Sequence, residues 1–177
     1  TGPKRVPAPS PDPLAAAREA LARGEWQAAI EATRDRRFDP AAAALHVRAL
    51  ANLDLEAATR LAADVAARHP LAADVHFVHA VLLLELGRFD ESSRAIRRVT
   101  YLDRSLAVAH FTLGSILERG GDAEGARRAY RVARDLSAAR PATEILPLSD
   151  GEAAGRLVAA ADAQLALLER TPGAVAS

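Results

Sequence analysis

The sequence predicts an all-α fold, a right-handed solenoid of antiparallel helix pairs. Turn segments that join two helical patterns recur at a fixed interval, beginning at Leu53, Gly87 and Gly121 (87 − 53 = 121 − 87 = 34). A constant interval of this length, made of two helices and a turn, is typical of helical repeat arrays. Half of the residues are apolar but only 4% are aromatic, which favours close-packed helices over strands. No stretch alternates with period two for long enough to predict a strand.

Within each copy the residue types also recur in register. Small residues hold the places where two helix axes must approach to roughly 8–10 Å. These residues are Ala80 and Gly114 on first helices, and Ala58, Ser92 and Ala126 on second helices. In the last copy the pattern continues with His110, Leu113, Leu117 and Tyr130. This spacing resembles the tetratricopeptide repeat (TPR) consensus with its aromatic positions softened.

The repeat register also predicts the organisation of the chain. We expect a proline-rich linker at 1–13, an array at 14–138 with a degenerate repeat at about 14–38 and further repeats at about 39–72, 73–106 and 107–140, a loop at 139–149, a capping helix at 150–170 and a disordered tail at 171–177. The first copy is short, because the interval from Gly24 to Leu53 is smaller than the others (53 − 24 = 29). Trp26 is therefore expected to cover the open end of the stack.

Helices are expected near Pro40–Asn52, Leu55–Arg68, Leu71–Leu86, Phe89–Tyr101, Ser105–Arg119 and Asp122–Ser137. A last helix opening at Ser149 and Asp150 carries an apolar stripe that needs a cover. It either caps the last hairpin or folds into the concave groove of the array.

The TPR resemblance implies a partner-binding groove, since the first helix of each TPR hairpin lines the inner surface. The implied lining residues are Ala43, Val47, Leu50, Asp74, Phe77, Val81, Leu84, Glu85, Val108, Phe111, Ser115, Glu118 and Arg119. Phe77 and Phe111 occupy the same position in successive repeats (111 − 77 = 34), which suggests an apolar helix or an extended peptide as ligand. The alternative is that both rings pack against a neighbouring or terminal helix.

Composition argues against several other functions. Lys plus Arg and Asp plus Glu both number 23, so no basic excess favours nucleic acid. The chain has no cysteine, which removes disulfides and thiolate chemistry and fits a reducing, cytoplasmic compartment. The longest apolar stretch, Phe77 to Leu84, is far shorter than the roughly 20 residues of a membrane span, so no membrane insertion is expected.

We expect no catalytic site, cofactor or metal in this chain. It has neither a glycine-rich phosphate loop nor a nucleophile motif. His76 and His79 are one helical turn apart and could hold a metal with Asp74 or His110. Packing is the preferred interpretation, because His76 and His110 occupy equivalent repeat positions.

Charged residues follow the repeat as well. Each second helix carries an acid four residues before an arginine, as Glu56 and Arg60, Asp90 and Arg94, and Glu124 and Arg128. A solvated outer face with i,i+4 pairs is favoured over an arginine ladder for an acidic partner. The cluster of Arg34, Arg36 and Arg37 is likewise interpreted as a solvated helix end, with an acidic-partner patch as the alternative.

A narrower resemblance rests on residues at the end of the second full repeat, in the third full repeat and in the tail. The residues are Tyr101-Leu102-Asp103, Ala109-His110-Phe111, Leu113-Gly114, Leu148-Ser149-Asp150-Gly151 and Ala154-Gly155-Arg156-Leu157. This combination resembles the C-terminal TPR extension of CheR-type chemoreceptor glutamate methyltransferases, including Frz-like ones. It implies a regulatory or docking arm whose partner is a chemoreceptor, its own methyltransferase domain or another signalling protein. S-adenosylmethionine would bind only in a domain upstream of this chain.

Two other hypotheses stay open from the sequence. The array could be a generic scaffold that assembles another bacterial complex, or it could associate with itself through the Phe77 and Phe111 groove. The sequence leaves open the oligomeric state and whether the array inhibits or recruits its partner.

Overall fold

Four helix pairs follow one another along the chain. A computed structural model describes residues 12–36 and 38–170. The pairs are α1 (Ala15–Ala22) with α2 (Trp26–Thr33), α3 (Pro40–Ala51) with α4 (Leu55–Arg68), α5 (Ala73–Glu85) with α6 (Phe89–Leu102), and α7 (Ala107–Arg119) with α8 (Ala123–Ala138). A single helix, α9 (Ala154–Arg170), ends the described chain. The six helices predicted between Pro40 and Ser137 agree with α3 to α8 to within two residues at each end.

The turns inside the pairs depend on local backbone chemistry. Gly87 and Gly121 have φ values of 72° and 86°, in the left-handed region that favours glycine. Leu53 holds the equivalent place between α3 and α4 without a positive φ, and there Asp54 caps α4 by accepting a hydrogen bond from the Ala57 amide at 2.9 Å. Asp122 caps α8 in the same way, through the Gly125 amide at 2.8 Å.

The core is a row of apolar clusters, each shared by consecutive helices. One cluster joins α3, α4 and α5, the next joins α5, α6 and α7, and two more join α7 and α8 to α9. A continuous core built from neighbouring repeats is what a solenoid requires. The fold is therefore all-α, as predicted, and the residues that the structure describes contain no strand.

Gly114 lies at a close approach between the two helices of the last pair. A Cβ at this position would lie 2.7 Å from the ring of Tyr130, which is buried on α8. Ser92 plays a related part between α5 and α6, where its hydroxyl donates to the Ala80 carbonyl at 2.7 Å. The small residues that recur in the sequence thus lie where helices cross.

The last helix begins four residues later than predicted. Leu148, Asp150 and Gly151 have φ values of 61°, 55° and 91°, so the segment before Ala154 cannot be helical. Instead, Ser149 folds it into a turn: its hydroxyl donates to the Leu146 carbonyl at 2.6 Å and accepts from the Glu152 amide at 2.9 Å.

The last helix lies against the final hairpin. Leu165 and Leu168 of α9 pack in one cluster with Ala126 and Tyr130. Arg127 on α8 donates to the Leu168 carbonyl at 2.8 Å. The helix combines features of the two positions considered for it: it lies on the final hairpin, and it also covers Val108 and Phe111, which were predicted to line the groove. Apart from Asp12 and Pro13, the predicted linker and the predicted tail lie outside the described residues.

Candidate functional site

A groove of about 650 Å³ runs across the first helices of the first three pairs. Its lining is mainly apolar. We call it the open groove and define it by Arg18, Leu21, Trp26, Leu45, Arg48, Val81 and Glu85. Because α1, α3 and α5 all contribute, three successive hairpins present one surface, as an elongated ligand requires.

The charged groups of the open groove differ in their partners. Arg18 forms an ion pair with Asp12, and Arg48 forms one with Asp150, a residue 102 positions later in the chain. Glu85 is exposed, and its carboxylate forms no ion pair or hydrogen bond within the described residues. The groove therefore combines apolar side chains with charges of both signs.

The far end of the open groove is closed by the loop between α8 and α9. Leu148 of this loop is half-buried against the cluster that contains Phe77 and Val108, and Asp150 reaches Arg48. Leu148, Asp150 and Gly151 also line the groove. We call residues 148–151 the loop tip. It is the part of the C-terminal segment that enters the inner face.

Beyond the loop tip, the inner face of α7 is covered. Phe111 lies 5.1 Å from Tyr130 between ring centroids and packs against clusters that contain Leu157 and Leu165 of α9. The Tyr130 hydroxyl donates to Glu118 at 2.8 Å and lies 3.2 Å from the Ser115 hydroxyl. Burial is the main cause that raises the pKa of Tyr130, so the phenol stays protonated and donates this bond.

The structure divides the residues predicted for the groove into several groups. Phe77, Val81 and Glu85 line the open groove. Val108, Phe111, Ser115 and Glu118 lie in the covered section described above. Leu84 packs against the α5–α7 cluster, and Asp74 is half-buried at the start of α5, where its carboxylate accepts from the Val75 amide at 2.9 Å.

The remaining predicted residues lie away from the groove. Ala43 and Val47 are buried in the cluster of α3, α4 and α5, Val47 being only 1% exposed, and Leu50 packs against the same cluster. Neighbouring helices surround α3, which is why these side chains face the core. Arg119 lies beside the α5–α6 turn, near Arg88.

Several lining residues could not be predicted from the repeat register. Trp26 was expected to cover the end of the stack, but it lines the open groove with Leu21 and Leu45. The first copy is shorter than its neighbours, so its residues cannot be aligned by counting in repeat lengths. On α3 the groove is lined by Arg48, the residue after the predicted Val47. The only sequence feature that singled out Asp150 was its place in the pattern Leu148-Ser149-Asp150-Gly151.

The histidines make packing contacts that follow the repeat. His76 Nε2 lies 3.1 Å from the Pro70 carbonyl, and His110 Nε2 lies 3.1 Å from the Arg104 carbonyl at the equivalent place in the next repeat. Burial lowers the pKa of His79, with further lowering by His76 and Arg88. Within residues 12–36 and 38–170 no group of three or more His, Cys, Asp or Glu side chains could hold a metal ion.

On the outer face, one of the three predicted i,i+4 pairs forms among the described residues. Glu56 and Arg60 approach to 4.0 Å. Glu124 pairs with Arg127 rather than with Arg128, through an i,i+3 contact. Exposed charges on a helix choose among neighbours three and four residues away at similar energies, so sequence order alone does not select the partner.

The arginine cluster that follows α2 is described only in part. Arg34–Arg36 form a short 3-10 helix with no buried residue, and Arg34 pairs with Glu31 at 2.8 Å. These contacts agree with a solvated helix end. Arg37, the third arginine of the predicted cluster, lies outside the described residues.

The helix pairs, their repeat register and the small residues at their crossings define a TPR-type α-solenoid. No helix of the described ranges is long and apolar enough to cross a membrane.

Comparison with known proteins agrees with this class of fold. No family model matches the sequence, and no curated protein matches it. Among solved structures, TTC0263, a thermophilic TPR protein of Thermus thermophilus, superposes with a TM-score of 0.69 at 17% identity over 88% of this chain and 82% of that one. MamA 41-end from Desulfovibrio magneticus RS-1 gives 0.60 at 19% identity over 87% and 89%. At these identities the likeness shows the fold alone.

Proposed function

We propose that this chain is a non-catalytic protein-interaction module whose open groove binds a polypeptide segment of a partner protein. The observation that carries the proposal is the groove itself, which three first helices line with apolar side chains and charges of both signs, together with Trp26 at the start of α2. An elongated surface of this kind suits an extended peptide or an amphipathic helix. Cytoplasmic location remains part of the proposal and rests on composition.

The test compares two substitutions of the same type on opposite surfaces. Val81→Glu places a charge in the open groove, and Val132→Glu places one at an exposed position on α8. Peptides selected from a displayed random library against the unmodified chain should lose binding to Val81→Glu and keep it for Val132→Glu. We expect affinity to fall by about tenfold or more, and a tenfold loss corresponds to about 1.4 kcal/mol of binding free energy.

Circular dichroism of both variants serves as the folding control. Two results would contradict the groove as binding site: selected peptides that bind Val81→Glu unchanged, or equal losses in both variants. Phe77 and Phe111 are unsuitable positions for this test, because both rings pack in apolar clusters and their substitution would also disturb the fold.

A second candidate is more specific: the regulatory or docking arm of a CheR-type chemoreceptor glutamate methyltransferase. What supports it is that the tail pattern forms one structural unit. Ser149 shapes the loop tip, Ala154 is buried, and a Cβ on Gly155 would lie 3.1 Å from Ala142. The similar solved structures do not bear on this role, since they share the fold alone.

Under this second candidate, the partner is the chemoreceptor, the methyltransferase domain or another signalling protein. The test needs the longer protein that would contain this chain. Methyl transfer from S-adenosylmethionine to receptor glutamates would be measured with and without residues 12–170. We expect a changed rate or a changed choice of glutamate. Identical rates and identical sites would leave the generic scaffold as the function.

A further inference from the structure

The loop tip touches the array at two points of different chemistry. The first is apolar, where Leu148 packs against the cluster that contains Phe77. The second is ionic, where the carboxylate of Asp150 pairs with the guanidinium of Arg48. Both points belong to first helices, α5 and α3, and the open groove continues from them towards Leu21 and Trp26. The tip thus occupies the inner face as a short bound peptide would.

The shape of the loop tip is held by the loop itself. The Leu146 amide donates to the Glu152 carbonyl at 2.9 Å, and Ile145 and Ala153 form an antiparallel bridge. Leu148 and Asp150 both have positive φ, a conformation that non-glycine residues keep only when their surroundings enforce it. The helix that follows has its own contacts with α8. The shape of the tip is therefore set within the loop, while α9 has separate contacts with α8.

The contacts of the loop tip are easy to replace. The Asp150 and Arg48 side chains are 67% and 38% exposed, and ion pairs at such positions contribute little. Leu148 is only half-buried. A segment that offered the same two groups and also contacted Leu21 or Trp26 would gain apolar contacts that lie in the open part of the groove.

From this geometry we infer that the loop tip mimics the segment of the partner that binds the open groove. That segment presents an apolar side chain followed two residues later by a carboxylate. The partner displaces the tip from Phe77 and Arg48 and extends into the open groove. This inference rests on the proposed function of the groove and adds to it the chemistry of the bound segment.

The experiment uses the loop as its own probe. The probe is a synthetic peptide with the sequence of 144–154 and blocked ends, so that it keeps the bridge between Ile145 and Ala153. The receptor is the chain with its tip emptied by Leu148→Ser and Asp150→Ser. Trp26, the only tryptophan in the chain, lines the groove, so its fluorescence reports binding. We expect the probe to bind the emptied chain about tenfold more tightly than the intact chain, in which the tip competes for the same points.

The matched control is the same peptide with Leu148 and Asp150 exchanged. It has the same composition and charge, so preference for the original order isolates the spacing of the two groups. Equal binding of both peptides would overturn the inference. So would equal affinity of the probe for the intact and emptied chains, or a probe that binds neither.

A second variant guards against misfolding. Asp150→Lys keeps Leu148 and replaces the ion pair with repulsion at an exposed position. Its affinity for the probe should also exceed that of the intact chain.

The experiments distinguish failure of the inference from failure of the proposed function. If binding of library peptides depends on Val81 but the loop probe does not bind, the groove remains the proposed binding site and the inference that the loop tip mimics the partner is rejected. Library peptides that bind Val81→Glu and the unmodified chain equally would contradict the open groove as binding site.

Discussion

The inner face of this array has two sections that differ in what lies on top of them. The open groove across α1, α3 and α5 is accessible, whereas the inner face of α7 is covered by the loop tip and by α9. Phe77 and Phe111 hold equivalent repeat positions at the border and inside the covered section. The difference teaches that equivalent positions in a repeat are not equivalent surfaces.

The reason lies in the chain that follows each hairpin. The first three pairs are followed by another pair, which covers their edge and leaves their inner face free. The last pair is followed by a loop and a single helix, which fold back over α7 and α8. Position along the stack, rather than residue type alone, decides which aromatic side chains a partner can reach.

The largest effect is expected at the border between the two sections. Phe77 is 8% exposed, so Phe77→Ala should remove a buried ring and leave a cavity, at a cost of about 3–5 kcal/mol. Urea denaturation measures the loss. Leu71→Ala is the control, because Leu71 is 76% exposed and its removal should change stability by less than about 0.5 kcal/mol. Similar losses in both variants would contradict the packed position of Phe77.

A smaller effect is expected inside the covered section, where α7 and α8 cross. A Cβ at position 114 would meet the Tyr130 ring, so Gly114→Leu should overpack the crossing and destabilise by about 1–3 kcal/mol. Arg131→Leu adds the same side chain at an exposed place on α8 and should have little effect. An unchanged melting temperature for Gly114→Leu would show that the crossing is looser than described.

The attachment of α9 can be tested with two adjacent arginines. Arg127 donates to the Leu168 carbonyl, whereas Arg128 is exposed. Arg127→Ala should therefore cost about 1–2 kcal/mol and speed amide hydrogen exchange in α9, while Arg128→Ala should do neither. If both substitutions behave alike, the covered section is not held by this contact.

The smallest effect is expected from pH and concerns the hairpins of the open groove. Burial lowers the pKa of His46 and of His79, with Arg34 adding to the first and His76 and Arg88 to the second. Each histidine has a lower pKa folded than unfolded, so the unfolded chain binds more protons as the pH falls below about 6.5. Stability should therefore be lost on acidification.

Thermal melts measure this loss. Between about pH 7.5 and pH 5.5 we expect the melting temperature to fall by about 2 °C, since both rings are only half-buried. His79→Gln should reduce the fall. A melting temperature that rises on acidification would reverse the assigned direction of both pKa shifts.

Some features of the site were local enough to predict from the sequence. Val81 and Glu85 were predicted to face the groove because the TPR resemblance places the first helix of each hairpin on the inner surface, and both residues line the open groove. Trp26 was missed because the first repeat is shorter and its register could not be transferred. Arg48 was missed because neighbouring helices bury Val47 in the core and leave Arg48 on the groove side of α3. The binding role of all these residues remains a prediction.

The sequence by itself determined the helices, the period of the repeats and the small residues at the crossings. These follow from contacts between residues three or four apart and from turn chemistry, which neighbouring residues specify. Only the tertiary structure decided the path of the loop tip. Its pairing of Asp150 with Arg48 joins distant parts of the chain, and its backbone places non-glycine residues at positive φ, which no local pattern predicts. Which part of the inner face stays open was therefore settled by long-range packing.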